Sequence, residues 1–319
     1  MILITGSNGF LGSWLVNNYQ GNKLSLLDRD SVSKHTGYPY LSAEINSTDD
    51  YSKALVGCDA VIHCAARVHI MDDKVENPLS LYREVNTVGA LNLARQAMYN
   101  GIKRFIYISS VKVNGESSRQ SQPFTANDDR LPQDDYGLSK SEAEVQLLDL
   151  AKDSGMDVVI IRPTLVYGPG VKANFASLFR LVSKGIPLPF GCIKKNKRSL
   201  VSINNLVDLI VTCIDHPHAA NQVFLVSDDH DVSTSEMVHE MAIALDKPAW
   251  QLPVPIWCYK LAGKLFNKSD VVDRLTGSLQ VDITHTKETL GWTPPQSLQA
   301  GFKQTAQAFL ESKMSSENK

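Results

Sequence analysis

Short apolar runs alternate with helix-like patterns from the first residue to about residue 165. The near-continuous hydrophobicity of the runs is typical of parallel strands that are covered on both faces. Between them, apolar residues recur at steps of three and four, which predicts amphipathic helices over Val88–Met98 and Ser139–Lys152. The predicted strands are Ile2–Thr5, Lys23–Leu27, Ala60–Cys64, Arg104–Ser109 and Asp157–Arg162.

This alternation predicts an α/β fold, a Rossmann-type doubly wound parallel sheet. After Pro163 the pattern changes to short mixed segments separated by prolines, which predicts a smaller C-terminal α+β substrate lobe. The expected division is an NAD(P)-binding domain over residues 1–165, a mainly substrate-binding lobe over 166–310 and a flexible polar tail over 311–319. Within the lobe, segments such as Val223–Val226 are candidates to return to the main sheet.

The composition is that of an ordinary globular protein and argues against several functions. The 319 residues are 43% hydrophobic and carry a net charge of -2, so no overall field attracts nucleic acid or anionic lipid. Neither nucleic acid nor a membrane is therefore a predicted partner. The start of the sequence does not resemble a signal peptide and the five cysteines lack C-x-x-C spacing, which favours a reducing cytoplasm. His216-Pro217-His218 is interpreted as a loop, and no metal site is predicted.

A glycine-rich turn follows the first predicted strand, in the segment Thr5-Gly6-Ser7-Asn8-Gly9-Phe10-Leu11-Gly12. Glycines here permit a tight turn, the close approach of a pyrophosphate and close helix–strand packing. The helix that follows presents unpaired N–H groups to the anion, so the predicted cofactor is NAD. At the end of the second strand, Asp28 suits the ribose hydroxyls of NAD and disfavours a 2′-phosphate. Arg29 beside it leaves NADP open, and a solvated turn is the alternative reading.

The candidate catalytic residues lie in Tyr136-Gly137-Leu138-Ser139-Lys140, where Tyr and Lys share one helix face. The lysine, together with the positive nicotinamide ring, is expected to lower the pKa of the Tyr136 phenol, which would then transfer a proton as general base and acid. Two serines, Ser109 and Ser110, end a predicted strand upstream. Either hydroxyl is a candidate partner for the reacting oxygen, and a plain turn is the alternative.

These motifs resemble the extended short-chain dehydrogenase/reductases, in the NAD-dependent epimerase/dehydratase family. The resemblance extends to about residue 310 and implies a homodimer formed through the two predicted helices. It also implies that Ser110, rather than Ser109, is the catalytic hydroxyl residue and contacts the UDP-sugar substrate. Two arginines are implied to contact the substrate as well, because arginine binds phosphate oxygens bidentately. The additional cofactor residues that it implies are Glu44, Ile45, Cys64, Ala65, Ala66, Asn86, Pro163 and Val166. The additional substrate residues are Asn174, Arg198 and Arg274.

One departure from the family pattern narrows the reaction. Sugar dehydratases of the family carry an Asp-Glu pair directly after the catalytic hydroxyl residue, whereas this chain has Val111-Lys112. The preferred hypothesis is a C4 epimerase of UDP-hexoses or UDP-N-acetylhexosamines. Asp28 favours NAD over NADP, and an epimerase needs oxidised NAD, which it regenerates in each cycle. The alternative is an NAD(P)H-dependent 4-reductase of a UDP-4-keto-6-deoxy sugar. The intact catalytic residues argue against a third hypothesis, a non-catalytic NAD-binding protein.

Overall fold

The computed structural model describes residues 1–21, 23–68, 77–119, 122–171 and 173–317. Its centre is a seven-stranded sheet in which every neighbouring pair is parallel, in the order β3-β2-β1-β4-β5-β6-β9. The predicted Rossmann-type fold is thus confirmed. These strands are β1 Ile2–Thr5, β2 Leu24–Asp28, β3 Tyr40–Ser42, β4 Ala60–His63, β5 Arg104–Ile108, β6 Asp157–Pro163 and β9 Val223–Val226.

Helices cover both faces of this sheet, as the continuous hydrophobicity of its strands requires. Alternate residues of each strand point to opposite faces: in β1, Ile2 and Ile4 join one core cluster and Leu3 joins the other. One face packs against α1 Phe10–Asn18, α7 Ile203–Asp215 and α11 Thr284–Leu290. The other packs against α2 Ser52–Leu55, α4 Ala90–Tyr99 and α5 Asp135–Ser154.

A second core lies in the C-terminal part of the chain. A three-stranded sheet has the order β10-β8-β7, with β7 Leu165–Tyr167, β8 Arg198–Ser202 and β10 Asp231–Val232. Buried side chains of β7, β8, α6, α8 and α12 form this core. The remaining helices are α3 Pro78–Arg83, α6 Ala173–Val182, α8 Thr234–Ala244, α9 Ile256–Leu265, α10 Ser269–Thr276 and α12 Leu298–Glu317.

Three details differ from the sequence prediction. The segment before α4 is a π-helix, Glu84–Gly89, so the predicted start of a regular helix at Val88 was wrong. The short edge strand β3 was not predicted. The expected tail over 311–319 is helical as far as Glu317, and its flexibility stays a prediction.

The chain crosses the predicted boundary at residue 165 more than once. Val223–Val226 pairs with β6 as the seventh strand of the main sheet, and α7 covers that sheet's face. A single cut at 165 therefore does not separate the two cores. No helix in the part of the chain that the structure describes is long and apolar enough to span a bilayer.

Candidate active site

The carboxyl ends of the parallel strands bring most of the predicted residues to one edge of the main sheet. The glycine-rich turn follows β1, the Cys64–Ala66 segment follows β4, and the two serines follow β5. In doubly wound sheets ligands bind at this edge, at the point where the strand order reverses. Here that point lies between β1 and β4, which are adjacent in the sheet.

The glycine-rich turn is built to admit an anion. Gly6 has φ +66 and donates its N–H to the Leu27 carbonyl at 2.8 Å. A Cβ on Gly12 would lie 2.1 Å from the Gly6 oxygen, so the close approach of turn and helix requires glycine. Gly9 caps α1 without a side-chain hydrogen bond, and the first turn of α1 contains no acid. The N–H groups in that first turn, which begins with Phe10 and Leu11, are thus available to a pyrophosphate.

Asp28 closes the turn from the end of β2. Its buried carboxylate accepts the N–H of Asn8 at 2.9 Å and that of Asp30 at 3.3 Å. Asn8 is buried too, and its amide donates to Asp30 and to the Val32 carbonyl. Arg29 is exposed. The carboxylate thus stands beside the glycine-rich turn, where the ribose of a dinucleotide is expected.

The other predicted cofactor residues fall into two groups. Cys64, Ala65 and Ala66 are half-buried beside the turn, and a Cβ on Gly6 would lie 2.8 Å from the Ala65 nitrogen. Asn86 uses its amide on protein groups: it donates to the Arg67 carbonyl and the Ser139 hydroxyl, each at 3.0 Å, and accepts the Arg67 N–H. In this structure it therefore positions the segment after β4.

The four remaining predicted cofactor residues lie outside the glycine-rich turn and the segment after β4. Ile45 is buried in the core and Glu44 is exposed. Pro163 is buried at the end of β6, and Val166 is half-buried in β7. Their contacts with a dinucleotide stay predictions.

Ser110 adjoins Tyr136, and its hydroxyl acts to lower the pKa of the Tyr136 phenol. Asp134 caps α5 by accepting the Gly137 N–H at 2.7 Å, which fixes the turn that carries Tyr136. A Cβ on Gly137 would lie 2.9 Å from the Lys112 carbonyl oxygen, so glycine lets the serine loop pack against this helix. The Lys112 N–H donates to the Ser110 hydroxyl at 3.2 Å.

Lys140 is buried one turn further along α5. Its ammonium nitrogen donates to the Ile108 carbonyl at 2.8 Å and lies 4.3 Å from the centroid of the Tyr107 ring. Burial lowers the pKa of Lys140 to about 7, although the nearby Cys64 and Glu144 act in the opposite direction. The lysine is thus poised to titrate near neutral pH.

The expectation that Lys140 lowers the pKa of Tyr136 was wrong for this structure. Burial raises the pKa of the Tyr136 phenol, and the Asp134 carboxylate raises it further. The Ser110 hydroxyl acts in the lowering direction. The physical reason is that the phenolate loses its hydration, while the amine of Lys140 is engaged with Ile108 and Tyr107.

Ser109 has a structural partner that sequence reasoning missed. Its hydroxyl donates to Glu144 at 2.6 Å, and Glu144 forms a buried two-point ion pair with Arg162 at 2.9 and 2.6 Å. Glu144 follows Tyr136 and Lys140 at four-residue spacing, which was the available signal for a third polar residue on this helix face. Of the two serines, only Ser110 is oriented toward Tyr136.

The two predicted substrate arginines are close together. Arg198 donates to the Arg274 carbonyl at 2.7 Å, and both burial and the charge of Arg274 lower its pKa. Within the described ranges, neither guanidinium forms an ion pair with a carboxylate. Two arginines placed together without a described carboxylate partner suit a phosphate group, and their contact with the substrate stays a prediction. Asn174 belongs to α6, and its side chain lies outside the described part of the molecule.

Known proteins resemble this chain along nearly its whole length. It is 68% identical to the UDP-glucose 4-epimerase of Vibrio cholerae, over 97% of this chain and 95% of that protein. It is 27% identical to the N-acetyl-alpha-D-glucosaminyl-diphospho-ditrans,octacis-undecaprenol 4-epimerase of Escherichia coli O157:H7, over 96% of this chain and 94% of that protein. The structure of UDP-glucose 4-epimerase from Thermotoga maritima with UDP-glucose superposes with a TM-score of 0.75. It is 21% identical and covers 98% of this chain and 99% of its own.

The family comparison agrees with the geometry of the sheet edge. Residues 2–227 match the family described as NAD dependent epimerase/dehydratase. That range runs from β1 through β9, the last strand of the main sheet. The match confirms the predicted family and its NAD dependence. The chain belongs to the NAD dependent epimerase/dehydratase family.

Proposed function

We propose that this protein is a UDP-hexose 4-epimerase that uses bound NAD. The observation that carries the proposal is the placement of Ser110 beside Tyr136, with the buried Lys140 one helical turn along, at the sheet edge that carries the glycine-rich turn. The 68% identity to a UDP-glucose 4-epimerase supports the assignment of the reaction. When bound, NAD supplies a nicotinamide that accepts hydride from C4 of the sugar and returns it to the opposite face.

The cofactor residues fit this group. The start of α1, where no side chain caps the N–H groups, suits the pyrophosphate, and Gly6 and Gly12 let the turn pack closely against Ala65 and against its own helix. The buried Asp28 carboxylate suits two ribose hydroxyls but not a 2′-phosphate, which favours NAD over NADP. Tight retention of NAD is an advantage to an epimerase, because the same cofactor completes both halves of the reaction.

Tyr136 is the proposed proton-transfer residue at O4 of the sugar. Its raised pKa keeps the phenol protonated at rest, which suits the step that protonates O4. To act as base it needs positive charge nearby, which protonated Lys140, one helical turn away, and the positive nicotinamide ring of bound NAD would supply together. The Ser110 hydroxyl, beside the phenol, then donates a hydrogen bond to O4 of the sugar or accepts one from it.

Arg198 and Arg274 are the proposed ligands of the substrate diphosphate. Each guanidinium offers a planar set of donors, and the pair lacks a described carboxylate partner. The relatives from Vibrio cholerae and Escherichia coli O157:H7 are both named for 4-epimerisation of a sugar, one on UDP and one on a polyprenol diphosphate. A diphosphate next to the sugar is the feature common to both names, and it fits this pair of cations.

The deciding experiment offers UDP-glucose or UDP-N-acetylglucosamine to the purified protein without added nucleotide. Formation of the C4 epimer without net change in absorbance at the NADH band supports the proposal. Absence of the epimer, together with reduction of a UDP-4-keto-6-deoxy sugar and stoichiometric loss of NAD(P)H, would instead establish the reductase. Tyr136→Phe is the matched negative control, because it removes only the phenolic hydroxyl.

We also infer that two copies associate through α4 and α5. These helices lie side by side on one face of the main sheet, and Val88, Tyr99 and Val145 on or next to them are exposed apolar residues. Burying such residues against a second copy is favourable. Light scattering at micromolar concentration tests this inference, and a monomer there would reject it.

The predicted cytoplasmic location stays a prediction.

A further inference from the structure

Helix α9 exposes large apolar side chains along one face. Trp257, Leu261 and Leu265 follow at four-residue spacing and are 66%, 60% and 77% exposed, and Phe266 directly after the helix is 70% exposed. These four residues are called the α9 face. Single exposed apolar residues are common, but several along one helix face form a patch that marks an interaction site.

The packing of α9 fixes which side faces outward. Gly263 is the buried residue of the helix, and a Cβ there would lie 2.8 Å from Val272 of α10. This close approach holds the Gly263 side of α9 against α10. The α9 face therefore has no described packing partner within the chain.

Lysines accompany the apolar stripe. Lys260 and Lys264 are exposed on α9 at four-residue spacing, beside Leu261 and Leu265, and the exposed Lys268 follows in the turn before α10. No acidic residue occurs from Ile256 to Lys268, so this stretch carries three positive charges on a chain whose net charge is -2. The first acid beyond it is Asp270. The α9 segment is thus positively charged although the chain as a whole is slightly negative.

We propose that the α9 face docks on the surface of a bilayer that contains anionic phospholipids. Interfacial helices present Trp, Leu and Phe to the boundary between headgroups and acyl chains, with Lys beside them. The lysines would attract the anionic headgroups over a short range, and the apolar stripe would supply the burial. This proposal is independent of the reaction, and it departs from the sequence expectation of no membrane partner, which considered net charge and spanning segments only.

The two predicted substrate arginines lie on or near the helix that packs against α9. Arg274 lies on α10, the helix packed against α9, and Arg198 donates to its carbonyl. Helix α9 would therefore stand between the bilayer and the helix that carries Arg274. The protein would bind at the membrane surface without inserting a spanning segment.

The test is co-sedimentation of the full-length protein with vesicles. Phosphatidylcholine vesicles with phosphatidylglycerol should pellet the protein at low salt, whereas pure phosphatidylcholine or high salt should leave it in the supernatant. Leu261→Ser with Leu265→Ser should weaken the partition coefficient by on the order of tenfold per side chain. Lys260→Gln with Lys264→Gln should weaken it roughly fivefold per lysine. The matched control changes an exposed apolar residue and lysine elsewhere, Val56→Ser with Lys53→Gln, and should bind like wild type.

Two outcomes would overturn the proposal. The first is a wild-type protein that stays in the supernatant with anionic vesicles; if its mass in light scattering also falls on Leu261→Ser with Leu265→Ser, the face belongs to a second copy of the chain. The second is a pair of α9 variants that bind as wild type does. Turnover of soluble UDP-sugar by the α9 variants separates this result from a failure of the proposed function.

Discussion

Replacing Lys140 by Met should make the protein more stable near neutral pH while removing its activity. Lys140 is buried, and its pKa falls from 10.5 to about 7 in the folded protein. At about 1.4 kcal/mol per pH unit, that difference corresponds to a penalty of about 5 kcal/mol for carrying the charge. Methionine fills a similar volume without a charge, so this penalty disappears in the variant.

Two losses offset part of the gain. The Ile108 carbonyl loses a hydrogen bond of 2.8 Å, at a cost of about 1–3 kcal/mol if it remains unpartnered. The contact of the ammonium with the Tyr107 ring is lost as well, worth on the order of 1 kcal/mol. The expected net effect at neutral pH is a stabilisation of about 2 kcal/mol.

The dependence on pH distinguishes this mechanism from a general packing effect. Between about pH 7 and pH 10.5 the unfolded state holds a proton on Lys140 that the folded state has lost, so wild-type stability rises with pH across this window. Below about pH 7 both states are protonated, and the penalty is complete and constant. The advantage of Lys140→Met should therefore be largest below about pH 7, fall as the pH rises above 7, and vanish or reverse toward pH 10.5.

Urea unfolding at about pH 6 and about pH 10 measures the effect, with Lys103→Met as the control. Lys103 is exposed, so its replacement should change stability equally at both pH values. A Lys140→Met variant that is destabilised at both pH values, or whose difference from wild type does not depend on pH, would refute the reasoning. Loss of turnover in a stabilised variant would show that the buried charge serves catalysis at the expense of stability.

Three further predictions follow from the same contacts. Tyr136→Phe should lower kcat by ~10²-fold or more while UDP affinity is retained, and turnover within a few-fold of wild type would contradict the assigned role. Arg198→Ala and Arg274→Ala should each weaken UDP binding by about 1.5–3 kcal/mol in calorimetry, and unchanged affinity in both would place the diphosphate elsewhere. Glu144→Gln should leave the buried Arg162 without its charge partner and destabilise the fold by about 3–5 kcal/mol. An unfolding midpoint equal to wild type would show that Gln satisfies Arg162 as well as Glu does.

Sequence patterns were informative where one local rule decides the structure. The parallel strands follow from uninterrupted apolar runs, and the glycine-rich turn follows from steric limits that no other residue meets at Gly12. The spacing of Tyr136 and Lys140 likewise placed both on one turn of α5. These features depend on residues close together in the chain.

Features that depend on distant parts of the chain were not predictable in the same way. The pKa of Tyr136 is set by burial and by Asp134, and only the folded structure shows how deeply the phenol lies. The choice of Ser110 over Ser109 rests on Glu144, which holds the Ser109 hydroxyl on the other side. The π-helical turn at Glu84–Gly89 contains Asn86, whose amide is hydrogen-bonded to Arg67 and Ser139, and periodicity reveals neither feature.

The return of the chain to the main sheet affects the order in which the protein can fold during synthesis. When residue 165 leaves the ribosome, the glycine-rich turn and Tyr136 are already made, yet the outer edge of β6 still lacks β9. The apolar residues Val159 and Ile161 also lack their cover, because α7 is made only later. The nascent Rossmann unit therefore exposes a strand edge and an apolar face until residue 226 has emerged. Chaperone binding should be concentrated in that interval of translation.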